Sequence, residues 1–158
     1  MKELSIKIKI VFAAVFALLI FSSSQSVMAS PNYRALALDE ESLDLVSRAV
    51  CVEGDGKSCL AKACIASMLF NRMSDEYLSR SAAEAVYESG ALIRAEKEDV
   101  DAPISPDALY ECRTLVRLVY YFGIDPTCGA LFCFRDGDPE ADQFFVTISL
   151  DGLVFAAP

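Results

Sequence analysis

A chain of 158 residues carrying 23 Asp+Glu against 14 Lys+Arg, a net charge of −9, is long enough for one domain around one core. It is too acidic to be held by nucleic acid or by an anionic lipid surface. It contains no histidine, which excludes the usual Ser-His-Asp and Cys-His mechanisms and the histidine-based zinc hydrolases, and leaves carboxylates to move protons.

Residues 1–29 read as an export signal. Lys2, Lys7 and Lys9 form a basic start, Ile10 to Phe21 is an unbroken apolar run of 12 residues, and Val27-Met28-Ala29 offers small residues for cleavage. The run falls short of the roughly 20 residues that a bilayer span needs, so no stable membrane insertion is expected after cleavage. Removal takes three Lys and one Glu from the totals of 14 and 23, leaving 11 basic against 22 acidic residues, a net of −11. All six cysteines (Cys51, Cys59, Cys64, Cys112, Cys128 and Cys133) fall in the exported part. An even count in a small exported domain predicts disulfides, with 15 connectivities open. The equal gaps Cys59/Cys64 and Cys128/Cys133 hint at a four-thiolate metal site, but no Cys-x-x-Cys is present, so no metal and no cofactor is expected.

Residues 30–38 read as a short leader and 39–158 as the domain. The first helix is expected over Asp39 to Val52, with acids in its opening turn. Leu45, Val46, Ala49, Val50 and Val52 give it an apolar stripe, and Gly54 stands where a left-handed terminator belongs. Glu53 is thereby placed at the C-terminal end of a buried helix. Burial and the negative end of the helix dipole both disfavour a charged carboxylate there. A carboxylic acid that keeps its proton is what a glycosidic oxygen needs as donor. The ordinary alternative is an exposed glutamate that merely ends a helix.

Gly54-Asp55-Gly56 makes a tight turn. A second helix over Lys57 to Met73 buries Leu60, Ala61, Cys64, Ile65, Met68 and Leu69. Ser81 caps a third, short helix with Glu84 three residues on, ending at Ser89-Gly90. Glu96 to Ile104 reads as a charged loop. Ser105 caps a fourth helix with Pro106 in its first position, and Gly123 stops it after Phe122. Strands follow at Ala130 to Phe134, Phe144 to Leu150 and Leu153 to Phe155, with an acidic turn from Arg135 to Gln143. The predicted class is α+β: a helical bundle followed by a small antiparallel sheet.

Several segments, in order, resemble one family, the SleB/CwlJ-like cell wall hydrolases. Ala49-Val50-Cys51-Val52-Glu53-Gly54-Asp55-Gly56 resembles that family's Val-Tyr-Gly-Glu-Ala-Arg-Gly. The helix ending Leu69-Phe70-Asn71-Arg72-Met73 is similar to one ending Ile-Leu-Asn-Arg-Val, and Ala85-Val86-Tyr87 to a Val-Ile-Tyr that precedes the substrate-groove loop. Asp125-Pro126-Thr127-Cys128-Gly129-Ala130-Leu131-Phe132 is similar to Asp-Pro-Thr-Gly-Gly-Ala-Leu-Tyr. The resemblance implies a lysozyme-like fold, an exported bacterial enzyme acting on peptidoglycan, and Glu53 as its catalytic acid. Three departures fall around the groove. Ala91-Leu92-Ile93 replaces Gln-Phe-Ser, Phe134-Arg135-Asp136 replaces Tyr-Asn-Pro, and Asp151-Gly152-Leu153-Val154-Phe155 lacks the histidine of Gly-Asn-His-Xaa-Phe.

A second carboxylate beside Glu53 would mark a hydrolase. Asp55, Asp136 and Asp138 are the candidates, each in a turn where aspartate is common for local reasons. A lytic transglycosylase needs one acid only. Tyr87, Phe132 and Phe134 could stack on a saccharide, though aromatics at strand spacing usually belong to the core. Arg72 and Asn71 read as structural, one pairing an acid, the other satisfying backbone groups. The rival reading is a non-catalytic wall-binding or assembly protein on the same fold.

Overall fold

The computed structural model describes residues 31–88 and 91–158; the expected signal segment 1–29 lies outside them. Helix α1 (Glu40–Glu53) opens where Asp39 accepts the Ser42 amide at 2.8 Å. Helix α2 (Cys59–Ser74) is capped by Ser58, α3 (Ala82–Tyr87) by Ser81 and α5 (Pro106–Phe122) by Ser105, each hydroxyl accepting an amide three residues on. Gly123 ends α5 in the left-handed region, φ 62°. The segment expected as a loop contains a short helix, α4 (Lys97–Asp101).

Helix α2 is the central element, in contact with α1, α3, α5 and two strands. Small residues on it let those neighbours approach: Ala61, Ala63, Ala66 and Ser67 are all buried. Ile65, Met68, Leu69 and Phe70 fill the space between, against Leu43, Val46 and Val50 of α1 and Val116 and Val119 of α5. Full burial of each such large side chain is worth about 1.5–3 kcal/mol.

The leader belongs to this core. Residues Tyr33–Leu36 form a 3-10 helix, and Tyr33 is buried with its ring 5.2 Å from Phe70 and its hydroxyl donating to Asn71 Oδ1 at 2.7 Å. Asn71 in turn donates to the Ala130 carbonyl at 3.1 Å and to Asp125 Oδ2 at 3.2 Å, so it ties α2 to the Asp125-Pro126-Thr127 turn.

Strands β1 (Phe132–Arg135), β2 (Phe145–Leu150) and β3 (Leu153–Ala157) form an antiparallel sheet in the order β1-β3-β2. The middle strand reads Leu-Val-Phe-Ala-Ala and is buried on both faces from Leu153 to Ala156. The β2–β3 hairpin turns on Asp151 and Gly152, both at positive φ (54° and 75°), the pair of conformations that a tight two-residue hairpin demands.

The disulfide expectation is corrected. All six cysteines are among the described residues, and no two are bridged. Cys59 and Cys64 cannot meet, because five residues of helix put them about 140° apart, the first exposed and the second buried. Cys133 faces the interior from β1 while Cys128 is exposed on the preceding turn. Cys51 and Cys112 lie near each other between α1 and α5, both buried and unbridged. Among the described residues no three Cys, Asp or Glu side chains gather closely enough to hold a metal ion. No described helix is long and apolar enough to cross a membrane.

Candidate active site

Glu53 is the last residue of α1. The chain leaves the helix there through Gly54, whose amide still bonds the Val50 carbonyl at 2.9 Å. Gly54 is not the left-handed terminator expected of it; its φ is −89°. Space requires the glycine, since a Cβ would lie 2.7 Å from the Val50 carbonyl oxygen and 2.7 Å from Lys62 Cγ. The left-handed residue of this turn is Gly56, φ 70°. Beyond it, Lys57 Nζ donates to the Asp151 carbonyl at 2.7 Å and the Ser58 amide to Asp151 Oδ2 at 2.8 Å. The β2–β3 turn therefore clamps the loop behind Glu53.

The Glu53 side chain is fully buried, with 0% of its surface exposed. Its two oxygens are treated unequally. Oε2 accepts the backbone amides of Arg94, at 2.7 Å, and Ala95, at 3.1 Å. Oε1 has no hydrogen-bond partner. The two amides belong to a strap between α3 and α4 in which Ala91 is buried and Leu92, Ile93 and Ala95 rest on the core. On the sheet side lies Cys133. Burial pushes its thiol well above 9.0, and the Glu53 charge adds to the effect.

Arg72 is the other deeply buried titratable side chain of the site, 3% exposed. Its Nη1 donates to the Leu131 carbonyl at 2.9 Å and Nη2 to Glu88 Oε2 at 2.5 Å, while Nε has no partner. The guanidinium lies 5.8 Å from the Phe132 ring centroid. Glu88 also accepts the Ser79 hydroxyl at 2.9 Å; that bond, and Arg72 after it, hold the Glu88 carboxyl below the usual glutamate range.

The remaining candidates do not gather around Glu53. Asp55 and Asp136 are exposed on turns, and Asp138 caps the 3-10 helix Pro139–Gln143 by accepting the Glu140 amide at 3.0 Å. Among the described residues none of the three is hydrogen-bonded to Glu53 or to its strap. Phe132 and Phe134 alternate with Cys133 along β1, so they face away from the glutamate side. They stack instead with Phe144, at centroid distances of 4.6 and 5.3 Å. Tyr87 ends α3, and its hydroxyl donates to Asp101 at 3.1 Å. Sequence reasoning missed the strap amides altogether, and only the unusual loss of polar groups at Ala91-Leu92-Ile93 marked that segment.

No protein-family model and no curated protein sequence matches the chain. Among solved structures, the catalytic domain of the Bacillus cereus SleB protein matches it with a TM-score of 0.61 at 16% sequence identity, over 75% of this chain and 91% of that domain. The chain therefore has the lysozyme-like α+β fold of the SleB catalytic domain: a helical bundle with a small three-stranded antiparallel sheet.

Proposed function

We propose that the chain is an exported protein that cleaves peptidoglycan glycan strands, with Glu53 as the single acid/base. The observation that carries this is the orphaned Oε1. A buried carboxylate oxygen left without a partner costs about 1–3 kcal/mol, and such a group calls for an explanation, a catalytic role being one. The SleB-like fold and the ordered motifs around Glu53 support the same reading. Oε2 is held by the strap, so Oε1 is the atom to carry the proton and deliver it to the glycosidic oxygen.

What closes on the anomeric carbon, water or the sugar's own hydroxyl, then determines which second group is needed. Hydrolysis calls for a partner carboxylate, and Asp55, Asp136 and Asp138 are all employed elsewhere or exposed. We therefore favour lytic transglycosis. Glu53 protonates the leaving oxygen as the C–O bond breaks, then takes the proton of the sugar's own hydroxyl as that oxygen closes on the anomeric carbon. Each turnover returns the acid to its starting state and leaves a ring-closed anhydro sugar. Full burial of the carboxyl requires the strap to lift before a glycan can enter.

Mass spectrometry of digests of purified cell wall tests both levels. The expected result is anhydro-ended muropeptides from the parent and none from Glu53→Gln. Undiminished release by that variant removes Glu53 from the mechanism, and reducing ends in place of anhydro ends replace transglycosis by hydrolysis. The complete cover over Glu53 also favours a second reading, in which its carboxylate serves only to pin the strap and the protein binds wall without cutting it. Retention on wall with no products from the parent would establish that alternative.

A further inference from the structure

The three-stranded sheet has two edges, and they are finished differently. Strand β1 is four residues long and ends in Arg135, and α2 takes the carbonyls that lead into it: Asn71 donates to that of Ala130 at 3.1 Å and Arg72 to that of Leu131 at 2.9 Å. Strand β2, at the other edge, runs for six residues and packs against β3 and against the 3-10 helix Pro139–Gln143. Its Thr147 hydroxyl turns inward, donating to the Phe155 carbonyl at 3.1 Å. Among the described residues, the amides and carbonyls that β2 directs away from β3 meet no partner. Such a row of groups is spaced for another extended strand.

Charge, proline or a bulge closes most exposed edges. Strand β2 has a bulge, at Thr147, left over between the pairs Val146–Ala156 and Ile148–Phe155, but residues 143–150 contain no charged residue and no proline. None of the strand's six residues is buried, and Phe145 and Val146 are 72% and 44% exposed. Charge then selects the occupant. On a chain of net charge −9, most faces of two copies repel each other; an uncharged strand edge does not. Pairing β2 with itself about a two-fold axis sets Phe, Val, Thr, Ile, Ser and Leu side chains opposite one another in every register, and never two carboxylates. The axis also closes the assembly, because the joined sheet ends on two β1 edges, each short and partly claimed by α2.

We infer that two copies of this chain associate by antiparallel pairing of β2 with the β2 of the second copy, joining two three-stranded sheets into one of six strands. The inference is independent of the chemistry assigned to Glu53.

Sedimentation equilibrium of the purified protein over a range of concentrations tests it. The expected mass rises from that of one chain to that of two and no further. Phe145→Lys and Val146→Lys should each weaken association about tenfold or more, because the two-fold axis brings two added ammonium groups into one interface. Lysine also lowers the net negative charge, so general repulsion between chains predicts the opposite change. Tyr110→Lys, on α5 and 73% exposed, adds the same charge away from the edge and should leave association as it was. All three positions are exposed, so thermal melting of dilute samples should show the variants folded as the parent. Amides of β2 should exchange more slowly where the dimer forms, and those of β1 should not change. A single chain at every concentration, a dimer that withstands both edge lysines, one lost equally with Tyr110→Lys, or growth beyond two chains overturns the pairing.

Discussion

At Glu53 the two carboxylate oxygens have opposite fates, and the residue that follows explains why the side chain stays where it is. Gly54 has no Cβ to collide with the Val50 carbonyl or the Lys62 stem, both 2.7 Å from where that atom would stand. A left-handed terminator and a crowded site both call for glycine, so the sequence could locate the residue without telling the two causes apart. They predict different outcomes. Were φ positive, alanine would be strained by its own backbone; here φ is −89° and the strain comes from the carbonyl above. Gly54→Ala should therefore force the last turn of α1 to shift. We expect a loss of about 1–3 kcal/mol in urea unfolding, the range for overpacking, and loss of the proposed wall cleavage as the carboxyl moves. A variant as stable and as active as the parent would show that the turn yields freely.

At the scale of elements, the helices were legible from their apolar stripes and, for two of them, from their caps. Ser81 and Ser105 accept the amides that their positions promised, whereas Asp39 and Ser58, read as lying inside their helices, stand just before them as caps. Helix α4 was not legible: in Lys97–Asp101 only Val100 is buried, and one apolar residue in five carries no period. Phe132 and Phe134, candidates for stacking on a saccharide that strand spacing assigns more often to a core, share a face of β1 opposite Cys133. The strap was invisible for a deeper reason. It grips Glu53 through backbone amides, which every residue but proline possesses. Its strength is nonetheless measurable. A hydrogen bond of this kind contributes about 0.5–1.5 kcal/mol, equivalent to roughly two- to tenfold in an equilibrium. Replacing the acceptor in Glu53→Ala should speed hydrogen exchange at the Arg94 and Ala95 amides by that factor, while amides of α2 keep their protection. Exchange at 94 and 95 unchanged by the substitution would mean that core packing of Leu92 and Ile93 closes the strap by itself.

For the molecule as a whole, titratable groups narrow the pH range in which this fold is stable, and they act from both ends. Asp39, Glu88 and Asp151 are held below their usual values, chiefly by hydrogen bonds from Ser42, Ser79 and Ser58 respectively. The native state thus binds fewer protons than the unfolded chain as these groups titrate. Their stabilisation is present above the ordinary values of 3.8 and 4.5 and is lost as the pH falls through the lower native ones. The interior thiols act in the opposite direction. Burial raises Cys64 and Cys112 from 9.0 to about 12, and Cys133 is raised by burial as well. Below pH 9 both states keep these protons, and nothing is lost. Above it the unfolded chain gives them up while the folded one retains them, so the slope of stability against pH is negative until about 12. Urea midpoints should therefore be flat near neutrality and decline on each side, with the alkaline decline beginning near pH 9. Cys64→Ala combined with Cys112→Ala should lower the plateau by leaving cavities, yet make the alkaline decline shallower, because two of the buried protons are gone. A double variant whose midpoints fall as steeply as the parent's between pH 9 and 11 would assign that decline to the remaining buried groups, Cys133 and Tyr33, and to charge repulsion across a chain already at −9, and not to Cys64 and Cys112.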